Sequence, residues 1–185
     1  MDIVRQILKK ARLAPVALTL LLMMKIACAD GIPDDTCTNE YIIPTTPSTD
    51  FMVVGDADDG IVRHDSTGLE WRRCPEGMTW NEKDGSCDGE AEGMDWQAAL
   101  EHAGGIDGWR LPDFKELASI QEHCRAVPGI NRQVFPDTPT VWHWSASPYQ
   151  GDPNNARVIG FHNAGGAWHG SKSNEHLVRL VRVAQ

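Results

Sequence analysis

The chain has 185 residues, 41% of them hydrophobic, with 26 acidic against 17 basic side chains and a formal net charge of −9 at pH 7. A surplus of that sign repels phosphate and sulfate polymers, so nucleic acid is excluded as a bulk partner. The length suits a leader and one domain whose core buries most of its apolar surface unaided.

Residues 1–29 read as a signal peptide. Arg5, Lys9, Lys10 and Arg12 form a basic head, and the apolar run from Leu13 to Met24 is too short to span a bilayer. Ala27, Cys28 and Ala29 place small residues where a signal peptidase reads, so cleavage after Ala29 is expected. Pro15 and Lys25 argue against a retained anchor, and Lys25 also against lipidation at Cys28. The leader holds five of the 17 Lys and Arg and one of the 26 Asp and Glu, leaving 12 basic against 25 acidic residues, net −13. The expected product is exported, to periplasm, outer surface or medium, with no permanent membrane span.

Residues 30–50, rich in Pro, Thr, Ser and Asp, predict an extended arm tied down through Cys37. The domain proper is expected over 51–185. Phe51 to Val54, Ile61 to Arg63 and Leu69 to Trp71 read as short strands divided by Gly and Asp turns. Asp95 caps a helix that places Trp96, Ala99, Leu100 and Ala103 on one face before Gly104 and Gly105 end it. Asp113 and Glu116 form a capping arrangement for a second helix, with Phe114, Leu117 and Ala118 buried, running to about Cys124.

Beyond Pro128 and Gly129 the pattern turns to β. Val141 to Ser145, Arg157 to Phe161 and Ala167 to Gly170 read as strands, with a turn at Asn163 to Gly166. His176 to Val183 closes the chain as one strand, apolar on both faces and therefore inside a sheet.

Cys37, Cys74, Cys87 and Cys124 are an even set in a chain bound for an oxidising compartment. Of three pairings, Cys74 with Cys87 and Cys37 with Cys124 is favoured, because the first pair brackets Pro75 to Ser86, which has turns and no apolar period. Zinc is disfavoured by the lack of closely spaced Cys or His pairs.

Three ordered pieces carry a resemblance: Thr67 to Cys74 (TGLEWRRC), Gly108 to Pro112 (GWRLP) followed by Lys115 to Leu117 (KEL), and Leu177 to Arg182 (LVRLVR). Met78 to Trp80, Trp96, Gly129 to Asn131, Phe135 with Pro136, and Trp144 to Ser147 add to it. Together they resemble the Lcl C-terminal domain family of bacteria, over about Gly60 to Val183. The resemblance implies an α+β, C-type-lectin-like domain: two short helices, a small twisted antiparallel sheet, disulfide staples and a loop-rich ligand surface. In the collagen-like adhesin that names the family, the domain is associated with glycosaminoglycans. That ligand is not carried over, since only Arg157 and Lys172 supply positive charge in the presumed binding stretch.

Within the resemblance, Trp71, Trp109, Arg110, Leu111, Pro112, Arg179 and Arg182 read as structural, the arginines satisfying carbonyls or carboxylates. His143, His162, His169 and His176 invite a metal or acid–base reading, but the seven-residue steps between the last three alternate strand faces, and no metal is expected. Asp56, Asp58 and Asp59 leave room for calcium as the one cofactor, without the full loop that would hold it. Ser145 and Ser147 lack a nucleophile elbow, and no catalytic residue is assigned. Recognition is expected from Tyr149, Asn154, Asn155, Arg157, His162, Asn163, Trp168, His169 and Asn174, aromatic faces among adaptable amides. The function expected is a non-catalytic, adhesin-like module for a glycan or protein surface. The alternative is a structural envelope component that binds another exported protein.

Overall fold

The computed structural model describes residues 37–38, 41–56, 59–125, 127–162 and 166–184. The expected signal peptide lies outside them, as do Asp58 and Asn163. The described residues form a mixed α+β structure, mostly strand, in three sheets.

The first sheet has the order β1-β2-β3-β11, built from Phe51–Val54, Ile61–His64, Leu69–Arg72 and Val181–Val183. The second has the order β6-β10-β7-β8-β9: Gly93–Met94, His176–Leu177, Trp142–Pro148, Asn155–Gly160 and Gly166–Ser171. A two-stranded hairpin, β4 (Met78–Asn81) with β5 (Ser86–Gly89), makes the third. The expected single antiparallel sheet is therefore corrected to three, one of them mixed, because β10 runs parallel to β7.

Helix α1, Trp96–Gly104, starts where the Asp95 carboxylate accepts the N–H of Ala98, and it buries Ala99 and Ala103. Helix α2, Phe114–Ala118, has the full capping box between Asp113 and Glu116. It is shorter than the sequence suggests. Beyond Ser119 the backbone leaves the helical ladder, with Gln121 bridging Ile130 and the Glu122 N–H donating to Gly129.

The C-terminal segment read as one strand is two, β10 and β11, in different sheets. Val178, Arg179 and Leu180 between them are all fully buried, so the segment crosses the core rather than lying in one layer. The "apolar on both faces" pattern has this cause: Val178 and Leu180 join one apolar cluster and Val181 the other. β8 separates the same two clusters, with Ala156 and Val158 toward α1 and Ile159 followed by Phe161 toward α2.

The disulfides pair Cys37 with Cys124 and Cys74 with Cys87. The second closes over the β4–β5 hairpin, which the sequence disguised because the face set by Met78 and Trp80 is only half-buried. The arm is held by more than Cys37. The buried Glu122 carboxylate accepts the N–H and hydroxyl of both Thr45 and Thr46, and Asn131 donates to the Thr46 carbonyl. Burial alone would raise the pKa of Glu122, but the N–H groups of Cys124, Thr45 and Thr46 with the Thr46 hydroxyl bring it down to about 2.

Among the described residues, no helix is long and apolar enough to cross a membrane.

Candidate functional site

The site grows from the junction at Trp109 to Pro112. Arg110 forms a two-pronged pair with Glu116, at 2.6 Å for each contact, which ties the start of α2 to the isolated bridge that Arg110 makes with Val181. The Pro112 carbonyl accepts the N–H of Ala146, and the Phe114 N–H donates to the Ser147 hydroxyl. Both contacts fall where the register of β7 against β8 shifts, between Trp144 and Pro148. There the Ser145 hydroxyl takes the Arg157 carbonyl at 2.9 Å, a place the regular ladder leaves open.

This bulge and the seated helix bring Phe114 over Arg157, whose guanidinium carbon lies 4.7 Å from the ring centroid. The Tyr149 ring centroid lies 5.6 Å from the same guanidinium carbon. From Tyr149 the stacking continues: its ring lies parallel to His169 at 4.1 Å, and His169 parallel to Trp168 at 5.0 Å. The result is a ladder of Phe114, Arg157, Tyr149, His169 and Trp168 running from α2 to the edge strand β9. Trp168, at its outer end, is 61% exposed, the most exposed tryptophan in the described structure. Asn155 links into the ladder by its amide, 3.3 Å from His169 Nδ1. Gly151 packs so close to Tyr149 that a Cβ there would fall 2.6 Å from the ring, so the loop pins the ring in place.

At the Arg157 end an open cleft of about 680 Å³ is lined by Phe114, Lys115, Ser147, Gln150, Arg157 and Asp113, among others. Asp113 is engaged as the helix cap, whereas neither Lys115 nor Arg157 meets a carboxylate among the described residues.

Of the nine residues singled out by sequence, Tyr149, Asn155, Arg157, Trp168 and His169 therefore come together. Asn154 and Asn174 supply turn backbone and add no side chain to the ladder. His162 lies edge-on to Trp142 at 4.6 Å, near the opposite end of the β8–β9 hairpin. Lys172 sits 4.2 Å from the Trp96 ring centroid, and its carbonyl accepts the Trp96 N–H, which fastens α1. Phe114, Lys115 and Gln150 were missed as site residues. Phe114 looked like core, and only the small residues ahead of Pro148 hinted at a bulge that opens the strand.

The motif residues contact backbone carbonyls, carboxylates and rings within the domain. Arg179 is fully buried and donates to the carbonyls of Arg72 and Arg73 and to the Thr138 hydroxyl. Arg182 pairs with Glu70 and lies over Trp109, with Arg72 also over that ring. Trp71 and Leu111 are core.

The four histidines do not converge. His143 is fully buried, and burial, aided by the charge of Arg179, lowers its pKa to about 3. His176 packs against Trp144, while His162 and His169 sit on Trp142 and Tyr149. Among the described residues no His, Cys, Asp or Glu group is arranged to hold a metal. Asp59 turns its carboxylate onto the N–H of Asp56, which is a local turn contact.

A second cleft, of about 390 Å³, lies beside the β4–β5 hairpin, lined by Asp59, Arg72, Glu76, Thr79, Trp80 and Trp109 among others. Its central charges are paired internally: Glu76 accepts from Arg72 at 3.1 Å and meets His102 at 2.6 Å. The Arg157 cleft is the better candidate for that reason.

The fold and site define a disulfide-stapled α+β domain with a stacked aromatic and cationic face on its mixed sheet. The chain belongs to the Lcl C-terminal domain family, whose model matches residues 60–182. No curated relative and no solved structure matches the chain.

Proposed function

We propose that this is an exported, non-catalytic binding module of C-type-lectin-like architecture, recognising a carbohydrate or protein surface through the Phe114 to Trp168 ladder. The observation that carries the reading is Trp168. A large ring 61% exposed, backed by His169 and Tyr149, presents apolar area at little cost in conformational freedom. The architecture is supported by two short helices beside mostly antiparallel strands and by the first and last strands, β1 and β11, forming the two edges of one sheet. Export is supported by the two disulfides and by the leader pattern.

The test is a glycan array with the disulfide-intact protein and its Trp168→Ala variant, with calcium present or chelated. Selective binding lost in the variant supports the reading, and loss on chelation would bring in calcium. A blank array from folded protein points to a protein ligand.

The envelope-component reading has its own observation. Edge strand β1 exposes Met52 and Val53, and the arm exposes Ile42 and Ile43. An open apolar edge is where another chain pairs. Cross-linking to an exported partner that survives Trp168→Ala but not Val53→Lys would favour it.

A further inference from the structure

Arg157 is a half-buried cation in built surroundings. Its guanidinium lies near two rings, Phe114 at 4.7 Å and Tyr149 at 5.6 Å. The Ser145 hydroxyl holds its backbone carbonyl, and the bulge in β7 opens the space in front of it. Yet among the described residues nothing accepts from its fork of N–H donors. Arg72, Arg73, Arg110, Arg179 and Arg182 each have a carboxylate or carbonyl partner. A fixed fork with no acceptor, facing a cleft of about 680 Å³, is a recognition element waiting for one.

We infer that the Arg157 cleft binds a carboxylate group, taken edge-on by the guanidinium that lies over Phe114 and near Tyr149. The inference rests on the binding reading of the ladder and adds the ligand's chemistry. Three features select a carboxylate. A guanidinium lying over aromatic rings keeps its N–H donors in its own plane, where the fork matches the two coplanar oxygens of a carboxylate better than a tetrahedral group. The chain's net charge of −9 disfavours dianions more than a monoanion. Lys115 supplies a second positive charge to the cleft, and Ser147 and Gln150 supply hydroxyl and amide groups for whatever carries the carboxylate. The carboxylate can come from an acidic sugar or from the free end of a peptide.

The experiment is a titration of the isotope-labelled, disulfide-intact protein, following backbone amide shifts of residues 147–157 and the Trp168 indole. The probes are galacturonate and N-acetylalanine, each beside its uncharged counterpart, galactose and N-acetylalanine amide, with inorganic sulfate as the tetrahedral control. Saturable shifts with a carboxylate, absent with its uncharged counterpart, are expected. Arg157→Lys, which keeps the charge and loses the fork, is expected to bind at least about tenfold more weakly while its spectrum stays folded. Whichever carboxylate binds more tightly identifies the source. Sulfate binding equal to carboxylate, or undiminished binding by Arg157→Lys, would overturn the inference by showing a mere point charge. Galactose shifting Trp168 as strongly as galacturonate would overturn it while leaving the ladder a binding face. No shift with either carboxylate in folded protein also overturns it, and the array result then judges the ladder separately.

Discussion

Two arginines in this protein lie against phenylalanine rings at nearly the same distance, 4.9 Å for Arg179 on Phe135 and 4.7 Å for Arg157 on Phe114. Arg179 is wholly buried and donates to two backbone carbonyls and a hydroxyl. Burial lowers its pKa to about 9. Arg157 is half-buried and, among the described residues, has no acceptor. A guanidinium withdrawn from water must bring its acceptors with it, whereas one left in contact with water tolerates an open fork until a ligand fills it. The ring contact alone therefore says nothing about role. The state of the N–H groups separates a fastener of the core from a contact for something outside.

The sharpest way to break this comparison is Arg179→Met. It strands the carbonyls of Arg72 and Arg73 and frees the β10–β11 crossing from Thr138. A loss of about 3–5 kcal/mol is expected in urea denaturation. Next comes Glu122→Ala, which leaves the Thr45, Thr46 and Cys124 N–H groups without their acceptor and should cost about 2–4 kcal/mol.

Acid sharpens the same contrast between interior and surface. His143 is held near pKa 3 against 6.5 for a free histidine, so the unfolded chain binds the proton first. The stability this contributes is complete above about pH 6.5 and is lost progressively as pH falls toward 3. His64 and His176, both lowered by burial, act in the same direction. Glu122, near 2 against 4.5, adds a further loss that begins only below about pH 4.5. Denaturation midpoints measured from pH 7 to pH 3 should fall in both windows. His143→Leu should flatten the upper window, and Glu122→Gln only the lower.

The smallest stability effects belong to the ladder. Arg157→Gln and Trp168→Ala should each stay within about 0.5 kcal/mol of the parent in urea while losing ligand. A loss as large as that of Arg179→Met would recast Arg157 as a fastener too.

Local signals were legible in the chain. Asp95 and the Asp113–Glu116 box set both helix starts because a cap is a matter of a few adjacent residues. The strands at Phe51, Ile61 and Leu69 were visible through their β-branched and apolar runs between glycines. The β4–β5 hairpin was hidden, since half-buried Met78 and Trp80 give a weak alternation. The length of α2 was overread because Ile120 and Cys124 are buried at helical spacing for non-helical reasons. In the site, aromatic and amide composition pointed to Tyr149, Asn155, Trp168 and His169. Phe114, Lys115 and Gln150 had no such signal, because their place depends on how α2 is seated against β7.

By itself, then, the sequence determined the family, the capped helices, the short-strand character and the cysteines available to pair. Each of these is written in neighbouring residues or in ordered motifs. Tertiary structure alone decided that the last segment divides between two sheets, that Glu122 clamps the arm, and that Arg179 meets two carbonyls and a hydroxyl while Arg157 meets no acceptor among the described residues. Those outcomes depend on which distant carbonyls, hydroxyls and rings arrive beside a side chain, and its own neighbours in the chain do not encode that.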